Sequence, residues 1–154
     1  MIDVTCYSQR DPKWGEKYVG FSTLRFKSFG CTITALASFI SSVYNARITP
    51  DEVNQKLKAV NAFSGALLIW YRVPYAYPKL RFIKRAYNYN NLEVAWSVYV
   101  KKVPVMVEVN AASIGASRHW VLYLGSAKLM DPWYGRIDST SKYPPTGYAL
   151  YQIA

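Results

Sequence analysis

The chain has 154 residues, a length that predicts one domain, and 51% of them are hydrophobic. This composition excludes an intrinsically disordered chain and supplies enough apolar side chains for a sizeable core. The formal net charge of +10 favours acidic partners, namely nucleic acid, anionic lipid or an anionic wall polymer, without choosing among them.

The first predicted elements are an irregular opening and a buried helix. Residues 1–27 contain Pro12 and Gly15 in a turn-like stretch. From Cys31 to Tyr44, apolar residues recur at helical spacing, with Ser and Thr between them. The uncharged stretch 28–46 has too many hydroxyl groups for a membrane span, so this helix is predicted to be buried in the fold.

Two more helices are expected in the middle of the chain. Thr49, Pro50 and Glu52 form a helix start, in which Thr49 and Glu52 fit a capping box. That helix carries an apolar stripe as far as Val60. A third helix is predicted from Asn91 to about Lys102, whereas the aromatic stretch 61–80 gives no clear prediction.

The last part of the chain has the shorter period of β-strands. Strands are predicted at residues 104–109, 119–124, 128–130 and 149–153. Their turns are assigned to Gly115, Gly125, Gly135 and Gly147. Because helices come first and strands cluster last, the prediction is a single α+β domain over residues 1–154 with an antiparallel sheet.

Three side chains in this layout suit nucleophilic chemistry. Cys31 follows Gly30 and begins the predicted helix, where the positive end of the helix dipole lowers the pKa of a thiol. The only histidine, His119, begins a strand, and Asp131 follows the next strand. Two antiparallel strands joined at Gly125 would bring Asp131 to His119. A thiol, an imidazole and an orienting carboxylate form a Cys-His-Asp triad.

Acyl chemistry also needs donors for an oxyanion, and Gln9 is the candidate beside the Cys31 N–H. The alternative for Gln9 is an exposed polar residue. The alternatives for Cys31 are a buried small hydrophobic residue or a disulfide with Cys6.

Other residues offer rival roles. Glu108 and Asp138 are alternative acids for orienting His119, and Glu108 is the stronger rival. Trp120 and Trp133 flank the proposed base and acid, either as core aromatics or as a screen that keeps water from them.

A basic and aromatic stretch, LRFIKRAYNYN, covers residues 80–90. We interpret it as the solvated face of a strand, and binding of single-stranded nucleic acid is the less favoured alternative. No phosphate-binding loop, dinucleotide glycine pattern or zinc-ligand spacing is present, so we expect neither a cofactor nor a metal.

Five motifs stand in a recognisable order: YSQRDPKWG, a GC that opens a helix, TPDEVNQKL, RHWVLYLG and LMDPWYG. Together they cover nearly the whole chain, and they resemble the C39-like branch of papain-like cysteine peptidases. The resemblance implies a helical part carrying the nucleophile, packed on an antiparallel sheet carrying the base. It also implies that Cys31 is the nucleophile, His119 the base, Asp131 its orienting acid and Gln9 part of the oxyanion hole.

The best-known C39 domains cut leader peptides at the front of peptide exporters, but no membrane segment or nucleotide-binding module is found here. The resemblance is therefore to the stand-alone bacterial and phage type. It implies a cysteine peptidase or amidase acting on peptide bonds, with bacterial peptidoglycan as the leading substrate. A protein-processing protease, a thiol acyltransferase and a catalytically idle binding module for wall polymer or nucleic acid are the alternatives.

The start of the chain bears on location. Residues 1–11 show no signal-peptide pattern, so we expect synthesis in the cytoplasm, with later release to the cell wall or association with a virion. A virion or other protein partner is not identified by any motif.

Overall fold

Antiparallel strands form the centre of the computed structural model, which describes residues 1–154. The strands are β1 Phe63–Ser64, β2 Leu67–Leu68, β3 Leu80–Ala86, β4 Val105–Ala111, β5 Ala116–Gly125, β6 Lys128–Asp131, β7 Arg136–Ser139 and β8 Pro145–Ile153. Strands β1 and β2 form a separate hairpin. The other six form one antiparallel sheet in the order β3-β8-β4-β5-β6-β7.

The helices lie mostly in the first two thirds of the chain. They are α1 Phe26–Phe29, α2 Cys31–Tyr44, α3 Pro50–Ala59, α4 Val73–Ala76 and α5 Asn91–Ala95, which continues as a π-helical turn over Trp96–Val100. Short 3₁₀ turns cover Trp70–Arg72, Ala112–Ile114 and Thr140–Lys142. The α+β class is confirmed, and helix α2 has the predicted bounds. No helix combines the length and the apolar character needed to cross a membrane.

The sheet is covered on both faces, which explains the nearly continuous apolar run in β4. Met106 packs in one hydrophobic cluster with residues of α2, and its neighbours Val105 and Val107 pack in the other. That second cluster contains Val94 of α5 and Val98 of the π-helical turn. Because successive strand residues point to opposite faces, both faces of β4 are apolar.

Some local predictions are wrong. Thr49 gives its hydroxyl to the Glu52 carboxylate and caps no backbone group, so the capping box does not form. Gly147 lies inside β8 rather than in a turn, at a place where a Cβ would come within 2.6 Å of the Ala86 carbonyl oxygen. Strand β3 falls within residues 80–90, which were interpreted as the solvated face of a strand, whereas strands β1, β2 and β7 were not among the predicted elements.

Two features of the fold position the candidate site. The turn joining β5 to β6 has positive φ angles at Ser126 and Ala127, as the tight hairpins that suit strand twist require. The resulting register pairs Leu122 with Met130, so the end of β6 lies beside the middle of β5. On the helical side of the sheet, Gly30 lets α1 approach α2, because a Cβ at Gly30 would lie 2.5 Å from the Phe26 ring.

Candidate functional site

The thiol of Cys31 lies at the first residue of α2. Gly30 precedes it, and no side chain caps this end of the helix. The first N–H groups of a helix lack intrahelical partners, so this end favours a negative charge. Cys31 is partly exposed and is not in a disulfide, and Cys6 is also a free thiol. The alternative of a Cys6–Cys31 bridge is therefore wrong for this structure.

His119 and Asp131 form a buried pair beside this thiol. The distance from His119 Nε2 to Asp131 Oδ1 is 2.9 Å, and 3% of the His119 side chain and none of the Asp131 side chain is exposed. The Cys31 thiol and the His119 ring are close enough for each to shift the pKa of the other. Because Nε2 bonds the carboxylate, Nδ1 is the ring nitrogen left for the thiol. The structure thus brings the three predicted residues together.

The surroundings of the thiol and the ring favour their charged forms. Burial alone would raise the pKa of Cys31, but the bond with His119 and its charge, helped by the Trp120 N–H and the Thr32 hydroxyl, lower that pKa overall. Burial alone would lower the pKa of His119, but bonds with Asp131 and Cys31 raise it to about 9. A thiolate paired with an imidazolium is the state these shifts favour near neutral pH.

The carboxylate of Asp131 is held by several donors besides His119. The Tyr143 hydroxyl donates to Oδ2 at 2.6 Å, the Trp133 N–H donates to Oδ1 at 3.0 Å, and Lys142 Nζ lies 3.5 Å from Oδ2. Burial alone would raise the pKa of Asp131, but the bonds from His119 and Tyr143 lower it. The carboxylate therefore remains charged inside the protein, where it can balance the imidazolium.

Gln9 lies between the two halves of the site. Its backbone N–H donates to the Pro132 carbonyl at 2.8 Å, next to Asp131, and its side-chain Nε2 donates to the Lys27 carbonyl at 3.3 Å, just before α2. Gln9 is buried, and its Oε1 has no partner. Gln9 is thus not an exposed polar residue. Since an amide has two N–H donors, one remains for an oxyanion.

The rival acids are occupied elsewhere. Glu108 pairs with Arg85 at 3.0 Å, and Asp138 pairs with Lys142 at 2.8 Å. Neither contacts the His119 ring. Asp131 is therefore the acid that orients His119 in this structure.

Aromatic rings surround the His119 ring and the following residue. Tyr143 meets the His119 ring edge to face, with centroids 5.7 Å apart. Trp120 is buried between the Trp70 ring at 4.6 Å and the Arg85 guanidinium at 4.8 Å. Trp120 is thus a packed aromatic residue. The low polarity around the His119 ring strengthens the hydrogen bond between His119 and Asp131.

Tyr143 and Lys142 were absent from the predicted site. They follow β7 in a short turn, and no motif or period marks them. Only the antiparallel return of the chain past Asp131 places them there. No group of three or more His, Cys, Asp and Glu side chains is arranged to hold a metal ion.

We expect Tyr143→Phe to raise the pKa of the Cys31 thiol by up to about one unit. The lost hydroxyl stabilises the Asp131 carboxylate, and a hydrogen bond to a charged group contributes about 1.5–3 kcal/mol. Without this bond the carboxylate is held less firmly in position behind His119, so the imidazolium loses part of its support and the thiolate part of its counter-ion. The ultraviolet absorbance of the thiolate, followed against pH, measures this shift.

Tyr151→Phe is the matched control, because the Tyr151 hydroxyl is also bonded at 2.6 Å but to the Trp70 carbonyl. It should lower thermal stability and leave the thiol pKa unchanged. A purely structural role for Tyr143 would give the same result in both variants.

Comparisons with protein-family models, with curated proteins and with solved structures found no match to this chain. The interpretation of the site therefore depends on its own geometry and on the motifs described above.

Proposed function

We propose that this protein is a cysteine peptidase or amidase of papain-like architecture. The observation that carries the proposal is the buried hydrogen bond between His119 and Asp131 beside the Cys31 thiol, which stands at the uncapped start of α2. The order of the motifs, which resembles that of C39-like peptidases, also supports it. Binding alone would require neither a polarised thiol nor a fully buried carboxylate behind a histidine.

In the proposed mechanism, the Cys31 thiolate attacks the carbonyl carbon of a peptide or amide bond. The Cys31 N–H and the Gln9 side-chain amide stabilise the oxyanion. The His119 imidazolium donates its Nδ1 proton to the leaving amine, which leaves a thioester on Cys31. The neutral ring then takes a proton from water, which hydrolyses the thioester. Throughout, Asp131 holds the ring at Nε2.

For the substrate, we propose a peptide or amide bond of bacterial peptidoglycan, and a protein substrate is the alternative. The net charge of +10 supports the first choice, because the wall polymers that accompany peptidoglycan are anionic. In a phage or bacterial enzyme that reaches the wall after release, or with a virion, the positive charge would attract the enzyme to these anionic polymers. The charge attracts the enzyme to its substrate and takes no part in bond cleavage.

The experiment is to incubate the protein with peptidoglycan fragments and with peptides, and to search for new amino and carboxyl ends and for an acyl adduct on Cys31 by mass spectrometry. Cys31→Ala should lower turnover by roughly 10⁴-fold or more and abolish the adduct. Cys6→Ala removes the other free thiol and should retain turnover. If added amines are incorporated in place of water, the protein is a thiol acyltransferase. If Cys31→Ala retains turnover, the proposal is wrong.

A further inference from the structure

The helix formed by α5 and its π-helical turn is apolar on both sides. Its inner side buries Val94 and Val98. Its outer side exposes a stripe at helical spacing, and the exposed fractions of these residues run from 53% to 80%: Leu92, Trp96, Tyr99 and Val100. An exposed apolar stripe that includes Trp and Leu indicates a surface that something covers.

The charges around this stripe are nearly all positive. Lys101 and Lys102 follow the helix directly and are exposed. The only carboxylate of the helix, Glu93, pairs with Lys84 at 2.6 Å and accepts a hydrogen bond from the Tyr148 hydroxyl. Because Glu93 is neutralised by its partners, the surface has no unpaired negative charge to be buried.

Ile83 extends the apolar area onto the edge strand β3. Together with Trp96 and Lys101 it lines a cavity of about 230 Å³ beside the helix. We call the whole area the α5 surface and define it by Ile83, Leu92, Trp96, Tyr99, Val100 and the two lysines that follow.

We propose that the α5 surface binds an anionic lipid bilayer, with the helix lying in the plane of the headgroups. A helix that exposes Trp and Leu and is bordered by lysines has the pattern of an interfacial helix, and such a helix need not span the bilayer. A second copy of the chain would fit poorly, since a symmetric contact over this surface would bring the two lysines of each copy into one interface that has no unpaired carboxylate to meet them. A wall polymer or a nucleic acid would need the lysines but not the apolar stripe.

This placement is compatible with the candidate site. Val94 and Val98 pack in the hydrophobic cluster on the face of the sheet opposite to that covered by α2. A bilayer at the α5 surface would therefore leave the start of α2, and Cys31 with it, uncovered.

The test is sedimentation with vesicles of phosphatidylcholine, with and without phosphatidylglycerol. The wild-type protein should bind only the anionic vesicles. Leu92→Ser with Trp96→Ser should abolish binding, and Lys101→Gln with Lys102→Asn should weaken it by roughly fivefold for each lysine. All four residues are exposed, so these variants should retain the thermal stability of the wild type.

Two pairs of control substitutions remove the same types of exposed side chain, but at positions outside the α5 surface. Leu67→Ser with Tyr71→Ser removes exposed apolar side chains, and Lys13→Gln with Lys56→Gln removes exposed charges. The apolar controls should leave binding unchanged, and the charge controls should change it less than the Lys101 and Lys102 pair.

Three results would overturn the proposal. The first is no sedimentation with anionic vesicles. The second is binding that survives Leu92→Ser with Trp96→Ser and is matched by soluble polyphosphate, which would indicate a polyanion site. The third is a concentration-dependent dimer that Trp96→Ser dissociates, which would make a second copy the occupant.

Discussion

Replacement of His119 by alanine is expected to slow the alkylation of Cys31 by about a hundredfold near pH 6. In the native protein, the imidazolium and the start of α2 lower the pKa of the thiol. Without His119, the burial of Cys31 is no longer offset. A thiol with the ordinary pKa of about 8.5 is only roughly 0.3% ionised at that pH. Iodoacetamide labelling across the pH range, with the labelled residue located by mass spectrometry, measures the effect.

The shape of the wild-type profile follows from the signs of the two shifts. The pKa of Cys31 is lowered, so labelling should already be fast in mildly acidic solution. The pKa of His119 is raised to about 9, so above that pH the thiolate loses its cationic partner. Peptide turnover should fall there as well, because a neutral ring cannot protonate the leaving amine.

Cys6 provides an internal control for this experiment. Burial raises its pKa, so it should label slowly at neutral pH in the wild type and in His119→Ala alike. If Cys31 labels as slowly as Cys6, and His119→Ala changes nothing, Cys31 is a structural cysteine and the proposed peptidase activity is wrong.

Replacement of Asp131 by asparagine is expected to cost about 3–5 kcal/mol of folding free energy and to raise the pKa of the Cys31 thiol. The carboxylate is fully buried and accepts from His119, Tyr143 and Trp133. The asparagine amide presents N–H donors where those groups need an acceptor, and a buried cation is left without its partner. Urea denaturation gives the free energy, and thiolate absorbance gives the pKa.

Two substitutions test whether these effects depend on the position of Asp131 or follow from the loss of any nearby carboxylate. Asp138→Asn removes another partner of Lys142 from a more exposed site, and it should cost less than about 1 kcal/mol. Glu108→Gln breaks the pair with Arg85, and it should leave the thiol pKa unchanged. An equal pKa shift in Glu108→Gln and Asp131→Asn would contradict the assigned role of Asp131.

The pH dependence of stability should also change in Asp131→Asn. The pKa of Asp131 is lowered in the folded protein, so its contribution is present above the unfolded value of about 3.9 and is lost as the pH falls through the lowered pKa. The wild type should therefore lose stability in acid more steeply than Asp131→Asn does.

Sequence patterns predicted the elements that have strong periods. Helix α2 was predicted at its observed bounds because apolar residues recur along it and Gly30 precedes it. Strands β4, β5 and β6 were predicted because their apolar runs end at turns. Strand β7 was missed because it is short, lies at an edge of the sheet and carries the charged residues Arg136 and Asp138.

Within the candidate site, local sequence identified the groups that carry chemistry but not those that support them. The tight β5–β6 hairpin made the contact between His119 and Asp131 predictable. Tyr143 could not be found in this way, since its contact with Asp131 depends on how the chain returns after β7. The pairing of Glu108 with Arg85 was equally hidden, because it depends on the order of β3, β8 and β4.

The separation of Cys31 and His119 along the chain has a consequence for biosynthesis. Cys31 lies in the first quarter of the sequence and His119 in the last. During translation, α2 leaves the ribosome well before β5 exists, and until then its thiol has no imidazole to ionise it. Contacts this distant in sequence form late in folding. Until β5 has been made and has packed beside α2, the nascent chain therefore carries Cys31 without the imidazole that lowers the pKa of its thiol.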